Sequence, residues 1–273
     1  MTAVALGGTA LHAGGVTSAV LVARPGPLAL RQGRVEVERQ KLRVVRTRFG
    51  VRVASPGLQV DLVEHLFAAI GGLGIGDGLR VDVFGPELPL LDGACAAWCK
   101  ALRLLGLPKP AAQPSGSALT RVVQPARIRV GTSEYVFAPS DSVRVRVQVA
   151  FDHPLVAVQT AAWHGDIRDF CERIATARTF GFRKDLVALR AMGSACAVDP
   201  SRVVVLEQPD SERLTASEPG PQPDECARHK LLDLVGDLTL ALGSFTGFVR
   251  AYRPGHTATH EAVREAARQG VFG

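Results

Sequence analysis

The chain has 273 residues, of which 47% are hydrophobic and 21% are charged, and its formal net charge is +6. This composition is that of a globular protein with a substantial core and excludes a disordered chain. Aromatic residues make up only 5% of the chain, and no run of like charges is present. Both features argue against a nucleic-acid-binding protein.

The cysteines and the first 23 residues indicate the cellular compartment in which the protein is expected. The five cysteines form no Cys-x-x-Cys motif, and an odd number of cysteines favours a reducing compartment. Residues 1–23 contain several glycines and no basic segment, which fits neither a membrane span nor a signal peptide. We therefore expect a cytoplasmic monomer with at most peripheral membrane contact.

One composition shift divides the chain. Residues 107–117 contain three prolines, one glycine and two serines, a pattern typical of an extended linker. The sequence thus predicts an N-terminal domain over residues 1–107, a linker over 108–117 and a C-terminal domain over 118–273.

The first half alternates strand and helix patterns. Alternating apolar residues predict strands at 34–38 and 51–53. An apolar run predicts a helix over 61–70 that Asp61 caps and two glycines end. A strand at 79–84 and a helix at 93–105 follow.

Similar patterns return in the second half. They predict strands at 142–151 and 247–252, and helices at 167–177, 185–192, 224–242 and 259–269. In each half, a histidine on an apolar helix precedes a glycine turn, a strand and a Gly/Pro turn. The sequence therefore predicts an α+β fold with two similar domains, each a β-sheet layered with helices.

The first candidate site residues are Glu64 and His65. They lie on the apolar helix predicted at 61–70, and no other ionisable residue occurs between Asp61 and Asp77. Ionisable groups on a core helix need partners or belong to a site. The alternative is a helix edge that faces water.

The second candidate is a face of the helix predicted at 224–242. His229, Asp233 and Asp237 are spaced four residues apart, so they lie on one face. A His-x-x-x-Asp pair can bind a metal ion, although the same spacing is common in surface pairs. The apolar neighbours favour a buried site, where a metal ion would compensate the two acids.

These residues can be combined into a hydrolytic centre. His65 together with His229 and Asp233 gives two histidines and one aspartate. This is the ligand set of a catalytic zinc that keeps one position open to water. Glu64 could then act as general base for that water. His256, on a glycine-shaped turn after a strand, is a candidate acid for the leaving group. Asp237 could orient its imidazole.

The same residues lie in motifs that resemble a known family. The motifs occur in order over nearly the whole chain: LHAG at 11–14, VEHL at 63–66, DG at 92–93, FDHP at 151–154, ARTFGF at 177–182, RHKLLD at 228–233 and GH at 255–256. Together they resemble the UDP-3-O-acyl-N-acetylglucosamine deacetylases of lipid A biosynthesis.

The resemblance implies an active site between the two domains and a zinc ion, with ferrous iron as an alternative. It implies His65, His229 and Asp233 as ligands. It assigns Glu64 as the catalytic base and His256 as the catalytic acid. It also implies that the carboxylate of Asp237 supports this acid and that Thr179 donates a hydrogen bond to the oxyanion. It also implies that Phe180 packs beside the sugar and that Lys230 meets the nucleotide phosphate of a UDP-linked acylated amino sugar.

The chain also departs from the family pattern. The expected Gly-Gly-Ser loop is replaced by Ala197, Val198 and Asp199, and the residues after Gly255-His256 differ as well. This divergence leaves two other functions open. The chain could deacetylate a different N-acetylated sugar, or it could be a non-catalytic zinc-containing binding protein. His12, His153, His164 and His260 are expected to be surface or hydrogen-bonded loop histidines.

Overall fold

The computed structural model of the protein describes residues 2–107 and 119–273. The linker predicted at 108–117 lies outside the described residues. The elements of the first part are β1 (Ala3–Thr9), β2 (Val16–Pro27), β3 (Ala29–Gln32), β4 (Val35–Glu38), β5 (Arg43–Arg46), β6 (Arg52–Ser55), β7 (Leu58–Val60), α1 (Glu64–Gly72), β8 (Asp77–Phe84) and α2 (Ala96–Leu104).

The second part has a similar mixture of strands and helices. Its elements are β9 (Thr120–Arg121), β10 (Ala126–Val130), β11 (Ser133–Ala138), β12 (Val143–Ala150), β13 (Val158–Trp163), α3 (Ile167–Asp169), β14 (Phe180–Phe182), α4 (Arg183–Ala191), β15 (Val204–Leu206), α5 (Glu225–Leu242), β16 (Phe245–Tyr252) and α6 (His256–Arg268).

Each part is built on one main sheet. The strand order is β1-β2-β8-β3-β4 in the first sheet and β10-β11-β16-β12-β13 in the second, with β9 beside β16. Two small sheets, β5-β6-β7 and β14-β15, stand apart from them. Helix α5 packs on β12 and β13, and α6 packs on β10 and β11. The predicted α+β fold is confirmed.

The predicted helix at 61–70 begins later in the structure. Its first residue is Glu64 and its N-cap is Val63, with no side-chain cap. Leu62 has a φ of 59°, which keeps the chain out of the helix at that point. The prediction that Asp61 caps the helix is wrong, because its carboxylate accepts hydrogen bonds from the guanidinium groups of Arg46 and Arg52.

Other helix boundaries differ from the prediction as well: the helix expected at 93–105 spans Ala96–Leu104, and the one expected at 185–192 spans Arg183–Ala191. The helix expected at 167–177 is a single turn, α3, followed by a π-helical turn at Phe170–Ile174. Helix α6 begins at His256, three residues before the predicted start, so His256 lies on a helix and not on a turn. Gly255 precedes it in an extended conformation and is the last of three residues that connect β16 to the helix.

Helices α1 and α5 form the centre of the molecule. They pack against each other, and almost every residue of both is buried. A glycine on each helix permits the close approach. A Cβ at Gly236 would lie 2.3 Å from the backbone oxygen of Glu64, and one at Gly71 would lie 2.0 Å from Oγ1 of Thr239. The backbones therefore meet where Glu64 begins α1.

This close approach predicts a strong effect of the variant Gly236→Ala. The added methyl group must displace the backbone of α1, and overpacking of this kind costs about 1–3 kcal/mol. We expect a lower midpoint in thermal unfolding, measured by calorimetry. Gly7→Ala is the control, because a Cβ at Gly7 meets nothing within 4 Å. Equal stability of the two variants would contradict the packing described above.

No helix in the described ranges is both long enough and apolar enough to cross a membrane.

Candidate active site

The contact between α1 and α5 brings the two candidate motifs together. Glu64 and His65 form the first two positions of α1. His229 and Asp233 lie one turn apart on the buried face of α5. All four residues are buried, with at most 5% of each exposed. The packing of the two helices therefore forms a polar cluster inside an apolar core.

Three of these side chains form a candidate metal centre. One ligand atom each from His65, His229 and Asp233 lies within 4.8 Å of the others. Oδ1 of Asp233 is 3.3 Å from Nε2 of His229 and 3.9 Å from Nε2 of His65. Ligands about 2.0–2.2 Å from a tetrahedral ion are separated by distances of this order.

The unmet hydrogen-bonding capacity of the group fits a cation. Oδ1 of Asp233 is buried and has no hydrogen-bond donor among the residues that the structure describes. The other oxygen, Oδ2, accepts a hydrogen bond of 2.7 Å from Nζ of Lys230. A buried carboxylate oxygen without a donor is costly unless a positive ion meets it. The residues present therefore fit a bound metal ion.

His229 is held in the orientation that a ligand needs. Its Nδ1 lies 3.0 Å from the backbone oxygen of Ala177, so it is assigned the proton. Nε2 is then left with a lone pair directed toward Asp233. Ala177 is followed by Arg178, whose side chain and backbone both donate to the buried carboxylate of Glu225 at the start of α5. This ion pair fixes the segment that orients His229.

Glu64 lies beside the candidate metal ligands. Its Oε2 accepts a hydrogen bond of 2.9 Å from the backbone nitrogen of Val51. Gly50, with a φ of 124°, brings the chain so close that a Cβ there would lie 3.0 Å from Oε1 of Glu64. Oε1 lies 4.0 Å from Nε2 of His256. One carboxylate oxygen is therefore fixed, while the other faces an imidazole.

His256 faces the same point from α6. Its Nδ1 lies 2.9 and 3.0 Å from the two carboxylate oxygens of Asp237, which is 1% exposed. Its Nε2 is directed toward Glu64 and lies 3.9 Å from Oδ2 of Asp233. The carboxylate of Asp237 thus orients the imidazole, and Nε2 is left to face the cleft.

The electrostatics separate Glu64 and His256. Burial raises the pKa of Glu64 to about 7, although the neighbouring His256 opposes the change. Burial lowers the pKa of His256, but Asp237 and Asp233 outweigh it and raise that pKa to about 9. One group is therefore inclined to accept a proton and the other to hold one near neutral pH.

The two candidate histidine ligands are kept neutral by burial. Burial, together with the neighbouring His229, lowers the pKa of His65 to about 3. Burial also lowers the pKa of His229. Burial opposes ionisation of Asp233, but His229 and Lys230 outweigh it and hold the pKa of that carboxyl below its usual range. Neutral imidazoles and an ionised carboxylate are the forms that bind metals.

Thr179 and Phe180 also line the cleft. The backbone nitrogen of Thr179 donates to the oxygen of Gly93 at 2.6 Å. Gly93 has a φ of 75°, and a Cβ there would lie 1.8 Å from the backbone oxygen of Arg202, so only glycine fits. The ring of Phe180 makes an edge contact with Phe151, and Nζ of Lys230 lies 5.5 Å from its centre.

The cleft has a volume of about 580 Å³ and has an apolar side. A small apolar cluster separate from the main core forms this side, and several of its members line the cleft: Leu11, Leu62, Leu186, Leu189, Ala195, Val198 and Val203. Eight of the nine predicted site residues line the cleft, and the ninth, Asp237, contacts His256, which is one of the eight. The structure thus brings all nine together. Within this group, Lys230 forms an ion pair with Asp233.

Sequence reasoning missed two buried histidines of this region. His12 lines the cleft, is 7% exposed, and its Nε2 has no hydrogen-bond partner among the described residues. His260 is 5% exposed and lies on α6, so its expected place on the surface or in a loop is wrong. The glycine-rich LHAG motif was the one available signal for His12. For His260, the signal was its spacing of four residues from His256.

The α+β fold, the buried two-histidine, one-aspartate group and the adjacent glutamate and histidine together define the arrangement found in metal-assisted hydrolases. Comparison with known proteins agrees with this class. The family model for UDP-3-O-acyl N-acetylglycosamine deacetylase matches residues 1–268, and the chain belongs to this family.

Similar curated relatives include the UDP-3-O-acyl-N-acetylglucosamine deacetylases of Brucella ovis, Brucella abortus and Brucella melitensis. Each is 38% identical to this chain over 218 residues, which is 80% of this chain and 73% of the relative. The family predicted from the sequence motifs is therefore confirmed.

Proposed function

We propose that the chain is a zinc-dependent deacetylase that removes the N-acetyl group from UDP-3-O-acyl-N-acetylglucosamine, a step of lipid A biosynthesis. The observation that carries this proposal is the convergence of His65, His229 and Asp233 beside Glu64 in one cleft, in a chain of this family. Ferrous iron is the alternative metal with the same ligands.

The proposed reaction converts the amide and one water molecule into acetate and a free amine. A zinc ion held by His65, His229 and Asp233 would act as a Lewis acid on the amide carbonyl and would lower the pKa of water. Glu64 accepts the proton of the attacking water through Oε1, because its other oxygen is occupied by Val51. His256 donates a proton from Nε2 to the leaving nitrogen.

Other side chains stabilise and position the substrate. Asp237 keeps the imidazole of His256 aligned, and its charge favours the protonated ring. The hydroxyl of Thr179 donates to the oxyanion of the tetrahedral intermediate. Phe180 packs against the sugar, and Lys230 pairs with the diphosphate of the UDP group. The apolar side of the cleft accommodates the 3-O-acyl chain.

Acetate release from three substrates tests this function. UDP-3-O-acyl-N-acetylglucosamine is compared with UDP-N-acetylglucosamine and with free N-acetylglucosamine, and metal content is measured on the same protein. We expect fast release from the acylated UDP-sugar alone. Equal release from the other sugars would favour a different N-acetylated substrate. Bound zinc without release from any of the three would favour a binding protein.

The apolar side also predicts a chain-length preference. Val198 lines this side, where the loop has replaced the glycine-rich pattern of the family. A buried methylene contributes about 0.8 kcal/mol, so two carbons change specificity roughly tenfold. Turnover of substrates with graded acyl chains should show an optimum, and Val198→Gly should shift it toward longer chains. Val16→Gly is the control, since Val16 is 91% exposed. An optimum that stays unchanged in Val198→Gly would contradict this role.

A further inference from the structure

The carboxylate of Asp237 lies between two imidazoles of helix α6. His256 and His260 are one turn apart and therefore share a face of that helix. Nε2 of His260 lies 3.3 Å from Oδ1 of Asp237, while Nδ1 of His256 lies 2.9 Å from Oδ2. Two histidines of one helix, His256 and His260, therefore share the single carboxylate of Asp237.

Because the carboxylate of Asp237 is buried, Nδ1 of His256 and Nε2 of His260 take the place of water around it. Asp237 is 1% exposed and His260 is 5% exposed, so water has almost no access to either side chain. Among the described residues, the two imidazoles are the only side chains shown with a hydrogen bond or ion pair to the carboxylate of Asp237. A buried carboxylate with too few donors loses much of its solvation, so each remaining donor constrains its orientation.

The contact with His260 is the weaker of the two. At 3.3 Å it is longer than the contact with His256, and Nε2 of His260 forms no complete hydrogen bond with any residue that the structure describes. Burial opposes the ionised form of Asp237, but His256 and His260 outweigh it and keep the pKa of Asp237 below its usual range. Without His260, one oxygen of the carboxylate would lose its second partner, and the group could rotate about its side-chain axis.

We infer that His260 is a positioning residue: the contact of its Nε2 with Oδ1 of Asp237, at 3.3 Å, limits rotation of that carboxylate, and the carboxylate in turn aligns the imidazole of His256 toward the cleft. The kinetic consequence rests on the proposed deacetylase function. The contact itself does not, since it is formed entirely by residues of α5 and α6. His260 belongs neither to the candidate metal ligands nor to the residues that line the cleft.

Three variants of His260 separate positioning from simple core packing. Gln places an amide nitrogen close to the position of Nε2, Asn has the same amide but is one methylene shorter, and Leu fills space without a donor. We expect the Asn and Leu variants to lower kcat roughly 10–100-fold, the usual range for an outer partner of a site, with KM and metal content unchanged. His260→Gln should recover most of the turnover.

A second measurement does not depend on activity. Long-range 1H–15N spectra of the imidazoles report the proton on Nδ1 of His256 and its hydrogen bond to Asp237. We expect this signal to shift in His260→Asn and to return in His260→Gln. Since Asn and Gln differ only in reach, the comparison remains decisive if the Leu variant does not fold.

The outcomes distinguish failure of the proposed deacetylase function from failure of the positioning role of His260. If the wild-type protein releases no acetate, the proposed function fails, and the spectra alone decide the role of His260. If the His256 signal is the same in the wild type, His260→Asn and His260→Gln, the positioning role is overturned. Equal kcat in an active wild type and in His260→Asn would overturn it as well.

Discussion

Replacement of Glu64 by Gln is expected to lower turnover at least about 100-fold while the protein keeps its metal. The amide has nearly the same shape as the carboxylate but cannot accept the proton of the attacking water, and general-base catalysis contributes on this scale. Turnover is measured by acetate release, and metal content by elemental analysis. Glu212→Gln is the control, because Glu212 is exposed.

The pH dependence gives a second check on Glu64. A base must be ionised to act, so turnover of the wild type should fall as the pH decreases through the pKa of Glu64. Burial raises this pKa, which brings the decline closer to neutral pH. The residual activity of Glu64→Gln should lack that acidic limb. Wild-type turnover in Glu64→Gln would contradict the assignment.

Removal of any one candidate ligand is expected to empty the metal site. His65→Ala, His229→Ala and Asp233→Ala each leave two protein ligands, and three ligands provide little redundancy. We expect one divalent ion per wild-type chain, a large loss of occupancy in each variant, and turnover reduced in proportion to the metal lost.

Exposed residues of the same types provide the controls for this experiment. His164→Ala and Asp210→Ala change side chains on the surface and should retain the metal. If all three ligand variants kept a full equivalent of metal, the candidate centre would have to lie elsewhere.

The helix that carries most of the candidate site could be predicted well from the sequence. The pattern predicted residues 224–242, and α5 covers Glu225–Leu242. Its signal is strong because apolar residues fill most of its positions, so the few polar ones stand out. His229, Asp233 and Asp237 could be identified for this reason, since spacing along one helix fixes their common face.

The start of α1 was harder to predict, because tertiary contacts decide it. Asp61 is a good capping residue by type, but Arg46 and Arg52 bind its carboxylate, and the helix begins three residues later. Neither arginine is close enough in sequence to belong to a helix-start pattern. The later start places Glu64 in the first turn, where its side chain faces the loop at Val51.

The two histidines missed by sequence reasoning illustrate the same limit. His12 lies in a turn at the edge of the cleft. A hydrogen bond from its backbone nitrogen to the carboxylate of Glu87, 75 residues away, holds this turn in place. His260 depends on the crossing of α5 and α6, which sequence spacing does not give. Local patterns identified residues on one element, and the ligand chemistry joined two helices in one hypothesis, whereas the contacts of His12 and His260 came only from the packed structure.

Metal removal and return is the most direct test of the account as a whole. One preparation is treated with a chelator until no metal is measured, and acetate release from UDP-3-O-acyl-N-acetylglucosamine is followed before treatment, after it, and after one equivalent of Zn²⁺ is added. We expect turnover to disappear with the metal and to return in full at one equivalent, with no return in His229→Ala. Undiminished turnover in the metal-free protein would contradict a metal-dependent deacetylase.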